Sequence, residues 1–308
     1  MTSRSLVDPE ILPLLDLLPS LDVSDETIGA VRQGLEARGP TIEPRALVAP
    51  RPDGGEVPML VFAPPYASGR GAILHIHGGG MILGTAKAYA PGNAALALGL
   101  GVTIVSVDYR LAPENPFPAP QDDCLAAYDW LRASAGELGI DAARIVLFGE
   151  SAGGGLAAAL AQMIRDTGRP PPSGQALTYP MLDHRTGSDA QPGLANCGEF
   201  VWTGAQNQYG WNALRGSYAA DDARAGWFSP ALAEDLSGLP PTWIGVGALD
   251  LFLAEDLAYA QRLIAAGVPV EVDVYSGCFH AFNAVPGTRM TAAYDRDLKA
   301  ALRSFLGL

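Results

Sequence analysis

Residues 145–154 read Ile-Val-Leu-Phe-Gly-Glu-Ser-Ala-Gly-Gly, an apolar run followed by a glycine-rich turn. The run Ile145–Phe148 predicts a buried strand, and residues 151–166 after it show helical spacing. Glycines in this setting permit a tight strand-to-helix turn, which would lift the Ser151 hydroxyl above a sheet at a helix N-terminus. Gly-x-Ser-x-Gly alone is a weak signal. The strand, turn and helix around it make the prediction of a nucleophile specific.

The same alternation of short apolar runs and helical stretches extends along most of the chain. Further strands are predicted at Ile73–His77, Val102–Val107, Thr242–Val246 and Val270–Tyr275. Further helices are predicted at 120–135, 254–266 and 289–305. Ahead of them, Ala46–Ala49 and Val57–Ala63 flank a turn signal and predict an antiparallel hairpin. The chain is therefore predicted to be an α/β protein with buried, mostly parallel strands.

Two segments interrupt this alternation. The chain has 308 residues, longer than the roughly 250 at which one core usually stops growing. Residues 1–42 are predicted to form N-terminal cap helices, and residues 184–235, rich in aromatics without strand spacing, a cap insertion. The catalytic domain would then comprise 43–183 and 236–308. The alternative for 184–235 is a packed helical insertion with ordinary core aromatics.

Charge and cysteine content exclude several classes of protein. Lys and Arg number 20 against 33 Asp and Glu, a net charge of −13 that argues against nucleic acid as a partner. Cys124, Cys197 and Cys278 have no Cys-x-x-Cys spacing, which indicates a reducing compartment. No run resembles a signal peptide or approaches the roughly 20 apolar residues of a transmembrane helix. We expect a cytoplasmic protein without a membrane partner.

A second glycine-rich motif, His77-Gly-Gly-Gly80, also follows a predicted strand directly. Consecutive glycines can turn their backbone N–H groups towards one point. We expect Gly79 and Gly80, with the N–H of Ala152, to form an oxyanion hole. The alternative is a flexible glycine loop.

Two histidines on the predicted strand, His75 and His77, could begin a metal site. Zinc needs three or four ligands, however, and the chain has only two other histidines, His184 and His280. We expect no metal. His77 is better interpreted as an anchor of the glycine loop and His75 as a hydrogen-bonded strand residue.

A serine nucleophile needs a base, and where the serine lies on a strand–turn–helix of this type the base follows it along the chain. Two histidines lie downstream of Ser151. His184 comes too early to leave room for an orienting acid, whereas His280 follows the last predicted strand. We therefore predict His280 as the base and interpret the nearby Cys278 as a small buried hydrophobe.

The orienting acid has three candidates. Asp250 follows the strand run Thr242–Ala248, at the edge where catalytic residues of parallel sheets collect. Glu255 and Asp256 fall in the first turn of the next predicted helix, where we expect solvated carboxylates. Asp250 is therefore the predicted acid.

These residues together resemble the hormone-sensitive-lipase-like branch of the α/β-hydrolases, the bacterial carboxylesterases. The matching motifs are His77–Gly80, Asp-Tyr-Arg-Leu-Ala-Pro-Glu-Asn-Pro-Phe-Pro at 108–118, Gly149–Gly154, Asp250 and Phe279–Phe282. The resemblance covers about residues 45–305. It implies an α/β-hydrolase fold, with a mostly parallel eight-stranded sheet, helices on both faces and a helical cap. It also implies no cofactor and the hydrolysis of short-chain or small aromatic esters.

The chain departs from the family pattern at several positions. Met81 stands where an aromatic is usual, Asn115 replaces a His, and Glu150 stands where Asp is frequent. Leu251–Ala254 replaces the usual Pro-Leu-Arg-Asp. These differences affect the expected pocket shape and helix start, and they leave the predicted triad intact.

The sequence thus predicts a serine carboxylesterase that uses Ser151, His280 and Asp250 through an acyl-enzyme. A lactone or amide hydrolase would keep the same triad. A ligand receptor on an esterase scaffold, as in the plant gibberellin receptors, would lack the catalytic His that is present here. The predicted edge strand Val270–Tyr275 would either pair with a second subunit or be protected from pairing by the charges of Glu271 and Asp273. The resemblance favours a homodimer.

Overall fold

The computed structural model describes residues 3–17, 22–34, 42–65, 70–219 and 221–308. In these residues, one sheet contains eight strands. They are β1 (Arg45–Pro50), β2 (Glu56–Phe62), β3 (Ala72–Ile76), β4 (Thr103–Val107), β5 (Ile145–Glu150), β6 (Gly174–Thr178), β7 (Thr242–Gly247) and β8 (Val270–Tyr275). Their order is β1-β2-β4-β3-β5-β6-β7-β8. The hairpin β1-β2 and the pair β2-β4 are antiparallel, and the other neighbours are parallel.

Nine α-helices occur in the described ranges. They are α1 (Ile28–Gly34), α2 (Ala90–Leu100), α3 (Ala119–Ala133), α4 (Ala135–Leu138), α5 (Ala152–Asp166), α6 (Gly204–Arg215), α7 (Ala225–Phe228), α8 (Leu253–Ala265) and α9 (Arg289–Leu306). Helix α2 was not predicted. Its sequence is apolar and Ala-rich with no polar face, so it carries no helical periodicity to detect. The predicted helices and the opening hairpin are confirmed, with ends shifted by up to two residues.

Alternation along the strands divides the core into two layers. Leu74 and Leu147 pack with α3, α5 and α8 on one face of the sheet. Ile73 and Val146 pack with α2 and α9 on the other face. Because both faces are covered, the central strands are buried throughout and mostly apolar without alternation, as the sequence predicted.

Parallel register brings the chemical motifs to one edge of the sheet. His75 pairs with Phe148 and Ile76 with Gly149, so β3 and β5 end side by side. The glycine loop after β3 therefore lies next to the turn after β5. The loops after β7 and β8 end at the same edge, since Gly247 pairs with Tyr275. A functional site is expected at this edge.

The two segments predicted as caps contain short helical elements in their described parts. The N-terminal segment has 3₁₀ turns at Ser3–Leu6 and Leu12–Leu17, followed by α1; other parts of 1–42 lie outside the described residues. The Asp8 N–H donates to the Gly277 carbonyl at 3.0 Å, next to the loop after β8. The segments also contact each other, because the Tyr209 hydroxyl donates to Asp25 at 2.7 Å. The predicted boundaries between cap and catalytic domain remain predictions.

Strand β8 lies at one edge of the sheet, as the sequence predicted. Val274 on this strand is 46% exposed, while Asp273 accepts a hydrogen bond from the Trp243 indole at 2.8 Å. Among the described residues, no helix is both long and apolar enough to cross a bilayer.

Candidate active site

The turn after β5 holds Ser151 in a strained backbone conformation. Its φ of 56° and ψ of −120° lie in a region that non-glycine residues rarely adopt. Side chains would not fit at the flanking glycines: a Cβ on Gly149 would lie 2.1 Å from the Gly153 carbonyl oxygen, and one on Gly153 would lie 2.0 Å from that of Ile76. Ser151 therefore lies on a sharp turn at the start of α5, the local structure that its motif predicts.

His280 lies between Ser151 and Asp250 in a hydrogen-bonded chain. Its Nε2 is 2.9 Å from Ser151 Oγ, and its Nδ1 is 2.8 Å from Asp250 Oδ2. The other Asp250 oxygen accepts the Phe252 backbone N–H at 3.0 Å. All three side chains are at least 94% buried. The structure thus brings together the three residues that the sequence selected.

The glycine loop after β3, residues 77–80, lies next to the turn that carries Ser151. Gly79 and Gly80 have φ values of 118° and 61°, which favour glycine. Within the described residues, the N–H groups of both find no intramolecular acceptor. Ala152, whose N–H was the third predicted donor, is the first residue of α5. All three predicted donors therefore lie at the strand-end edge that carries Ser151.

His77 anchors the glycine loop by stacking and hydrogen bonding. Its Nδ1 donates to the Gly78 carbonyl at 2.8 Å, and its ring stacks on Tyr109 with centroids 4.2 Å apart. Burial lowers the pKa of His77 to about 3, so the ring is neutral. His75 is hydrogen-bonded to Ser106, Asn93 and Glu150. No metal-binding cluster occurs in the described residues.

The prediction that Glu255 and Asp256 are solvated is wrong. Both are buried, with exposures of 4% and 0%, because the first turn of α8 packs beneath the loop after β6. Glu255 Oε1 accepts the Leu182 N–H at 2.7 Å and the Asp183 N–H at 3.3 Å. Burial raises the pKa of both carboxyls well above the usual range. No hydrogen bond joins either one to His280 in the described structure.

Part of segment 184–235 packs directly on the glycine loop. A Cβ on Gly80 would lie 2.3 Å from the Trp202 ring, and one on Gly210 in α6 would lie 2.7 Å from the Gly80 carbonyl oxygen. The Trp202 and His280 ring centroids are 6.4 Å apart. Trp202 thus forms a wall of the site, which neither motif nor periodicity could identify, since one aromatic among many carries no positional signal.

Further residues that the sequence pattern indicated lie outside the triad. His184 packs against Trp211 and Phe228, away from the triad. Cys278 is buried, and burial raises the pKa of its thiol to about 12, consistent with the predicted hydrophobe. Met81, which replaces an aromatic, is also buried. Despite the unusual residues at 251–254, α8 begins two residues after Leu251.

This geometry agrees with comparisons to known proteins. A family model described as "alpha/beta hydrolase fold" matches residues 73–284. The chain belongs to the α/β-hydrolases, in the hormone-sensitive-lipase-like branch. This α/β-hydrolase is 34% identical to esterase LipI of Mycobacterium tuberculosis over 96% of this chain and 95% of LipI. It is 35% identical to an arylesterase of Saccharolobus solfataricus over 76% of this chain and 75% of that protein.

A solved structure shows the same relationship over the whole length. A bacterial heroin esterase superposes with a TM-score of 0.90 at 35% identity, covering 99% of each chain. The predicted fold and family of this α/β-hydrolase are confirmed, and it is a carboxylic ester hydrolase.

Proposed function

We propose that this α/β-hydrolase is a serine carboxylesterase that acts through an acyl-enzyme formed on Ser151. The observation that carries the proposal is the buried chain of hydrogen bonds from Ser151 Oγ to His280 at 2.9 Å and on to Asp250 at 2.8 Å. A serine, an imidazole and a carboxylate in this order are the groups that nucleophilic acyl transfer requires.

In the proposed first step, His280 Nε2 removes the hydroxyl proton as Ser151 Oγ attacks the ester carbonyl. Asp250 accepts a hydrogen bond from the Nδ1–H group of His280. This bond fixes the tautomer of His280 and stabilises the imidazolium that forms. The backbone N–H groups of Gly79, Gly80 and Ala152 stabilise the oxyanion. His280 then protonates the leaving alcohol, and water repeats the sequence to release the acid and restore Ser151.

We propose short-chain or small aromatic esters as substrates. The close packing of Trp202 and Gly210 on the glycine loop limits the space beside the reacting carbonyl. Two of the similar proteins are named an arylesterase and a heroin esterase, names that indicate esters of small or aromatic groups. A lactone or amide hydrolase would use the same triad. A binding receptor is disfavoured because His280 is present and hydrogen-bonded to Ser151.

The test combines active-site labelling with a substrate panel. We expect a fluorophosphonate to label Ser151 alone by mass spectrometry, and Ser151→Ala to lower kcat by about 10⁴ to 10⁶. Ser173→Ala, a serine whose hydroxyl bonds the Ile145 carbonyl, is the control. Nitrophenyl esters of two to sixteen carbons, a lactone and an anilide complete the panel. Labelling at another residue, or activity that rises towards sixteen carbons, would contradict the proposal.

We also propose that β8 pairs with a second copy to form a homodimer, because this edge strand exposes Val274. Light scattering should then give about twice 32.1 kDa. A single species at the monomer mass would reject the dimer. A cytoplasmic location stays a proposal that rests on the sequence.

A further inference from the structure

A line of buried and half-buried polar side chains runs from the interior of the sheet to the loop that carries His280. We propose that it positions the catalytic imidazole relative to Ser151, an inference that rests on the proposed function. We name it the His280 network. Its members are Asn93, His75, Glu150, Asn283 and Tyr179.

The inner end of the His280 network fixes the orientation of His75. Its Nδ1 lies 2.9 Å from the Asn93 amide nitrogen and 2.9 Å from Ser106 Oγ. An amide nitrogen can only donate, so Nδ1 is the acceptor and the ring proton lies on Nε2. That Nε2 faces Glu150 Oε2 at 3.4 Å. His75 therefore holds one oxygen of the residue that precedes the nucleophile.

The other oxygen of Glu150 reaches the loop after β8. Glu150 Oε1 accepts a hydrogen bond from Asn283 Nδ2 at 3.2 Å. Asn283 lies in the 3₁₀ turn Phe282–Ala284, three residues after His280. The Glu150 side chain thus links the turn of the nucleophile to the loop of the base. Through this connection, Glu150 can affect the position of His280 although its own hydrogen bonds go to His75 and Asn283.

Tyr179 completes the His280 network against the imidazole itself. Its hydroxyl donates to Asn283 Oδ1 at 2.6 Å, and its ring centroid lies 4.6 Å from that of His280. Burial and the neighbouring Glu150 carboxylate raise the pKa of Tyr179 well above its usual range, so the hydroxyl stays a donor. Its backbone is fixed as well, because the Tyr179 N–H donates to the Gly245 carbonyl at 2.7 Å.

The position of His280 relative to Ser151 must be maintained across the fold, because the nucleophile and the base follow different strands. Ser151 follows β5, whereas His280 follows β8, and the reaction requires their 2.9 Å separation. Displacement of a reacting group by about 1 Å can lower a rate by roughly 10². Asp250 holds the ring from the loop after β7, and the His280 network holds the loop and the ring face from the side of β5 and β6.

The experiment measures kcat and KM per active site, counted by fluorophosphonate titration, for Asn283→Ala, Tyr179→Phe and the double variant. We expect each single change to lower kcat about 10-fold with KM within about twofold, since positioning acts on the chemical step. The double variant should be no slower than the slower single variant, because both changes break one chain of hydrogen bonds. Tyr275→Phe is the matched control. Its hydroxyl donates to Asp297 at 3.2 Å, and its ring packs on Phe282.

The possible results distinguish a role of the His280 network in positioning the imidazole from a role only in the stability of the fold. A structural role would lower the melting temperature and the titratable fraction but leave kcat per titrated site unchanged, and that result would overturn the inference. Additive losses in the double variant would also overturn it. If Asn283→Ala does not fold, Tyr179→Phe decides alone, because it removes one oxygen and keeps the ring. Absence of wild-type labelling at Ser151 would instead reject the proposed function.

Discussion

Asp250 and Asp256 are six residues apart and both completely buried, yet their surroundings differ. Asp250 has a partner for each oxygen: His280 on one side and the Phe252 N–H on the other. In the described structure, neither oxygen of Asp256 has a hydrogen-bond partner. Its pKa is raised well above the usual range by burial and then by the charges of Glu255 and Asp250. The two carboxylates are therefore equally buried and differ in their hydrogen-bond partners.

Glu255 is intermediate between Asp250 and Asp256 in its hydrogen-bond partners. One oxygen accepts two backbone N–H groups at the start of the loop after β6, which ties α8 to that loop. Burial still raises its pKa well above the usual range, despite these hydrogen bonds. The three carboxylates of one short segment thus have three different environments. Asp250 is hydrogen-bonded to an imidazole, Glu255 to the backbone of a loop, and Asp256 has no hydrogen-bond partner in the described structure.

The largest expected effect comes from Asp250→Asn. The amide keeps the size of the side chain but can hold His280 in the wrong tautomer, so kcat should fall by about 10⁴. Steady-state kinetics of nitrophenyl acetate hydrolysis give the measurement, with circular dichroism to verify folding. If Asp250→Asn remains active while Glu255→Gln is inactive, the assignment of the acid is wrong.

A smaller effect, on stability, is expected from Glu255→Ala. It leaves the buried Leu182 N–H without its acceptor, which costs about 1–3 kcal/mol. The melting temperature should fall by several degrees, at roughly 2–4 °C per kcal/mol. Glu255→Gln is the matched control, because it retains an acceptor oxygen and should change the melting temperature much less. Equal losses for the two variants would show that the hydrogen bonds to the loop are unimportant.

The effect of Asp256→Asn on stability is expected to be small near the unfolded pKa and to grow with pH. Because the folded pKa of Asp256 is raised, its stabilising contribution is complete below the unfolded pKa near 4 and is lost as pH rises towards the folded pKa. Asn does not titrate, so the stability of the variant relative to the wild type should rise with pH from the unfolded pKa up to the folded pKa. The slope is at most about 1.4 kcal/mol per pH unit, which corresponds to roughly 3–5 °C in melting temperature.

Asp235→Asn provides the contrasting control for that measurement. Asp235 is exposed, and hydrogen bonds from Ser237 lower its pKa. The stability it contributes is present above the unfolded pKa and is lost only as pH falls through the folded pKa. The difference from the wild type should therefore be flat between pH 5 and pH 8. A flat difference for Asp256→Asn as well would contradict its raised pKa.

The sequence by itself determined seven of the eight strands, the family and the choice of Ser151, Asp250 and His280, whereas β6 (Gly174–Thr178) was not predicted. Apolar strands, glycine-rich turns and chain order are local or sequential properties, so they are readable along the chain. Helix α2 was not predicted, because its apolar residues lie on all sides of the helix and therefore show no helical periodicity in the sequence.

Only the tertiary structure decided the environment of Glu255 and Asp256 and the contacts of Glu150, Trp202 and Tyr179. A first-turn carboxylate looks the same in sequence whether the next loop covers it or leaves it in water. Burial depends on residues more than 70 positions away, as the hydrogen bond between Leu182 and Glu255 shows. Likewise, Glu150 meets Asn283 across 133 residues because β5 and the loop after β8 end at the same edge of the sheet. Such partners are set by packing in three dimensions, and no periodicity or local motif encodes them.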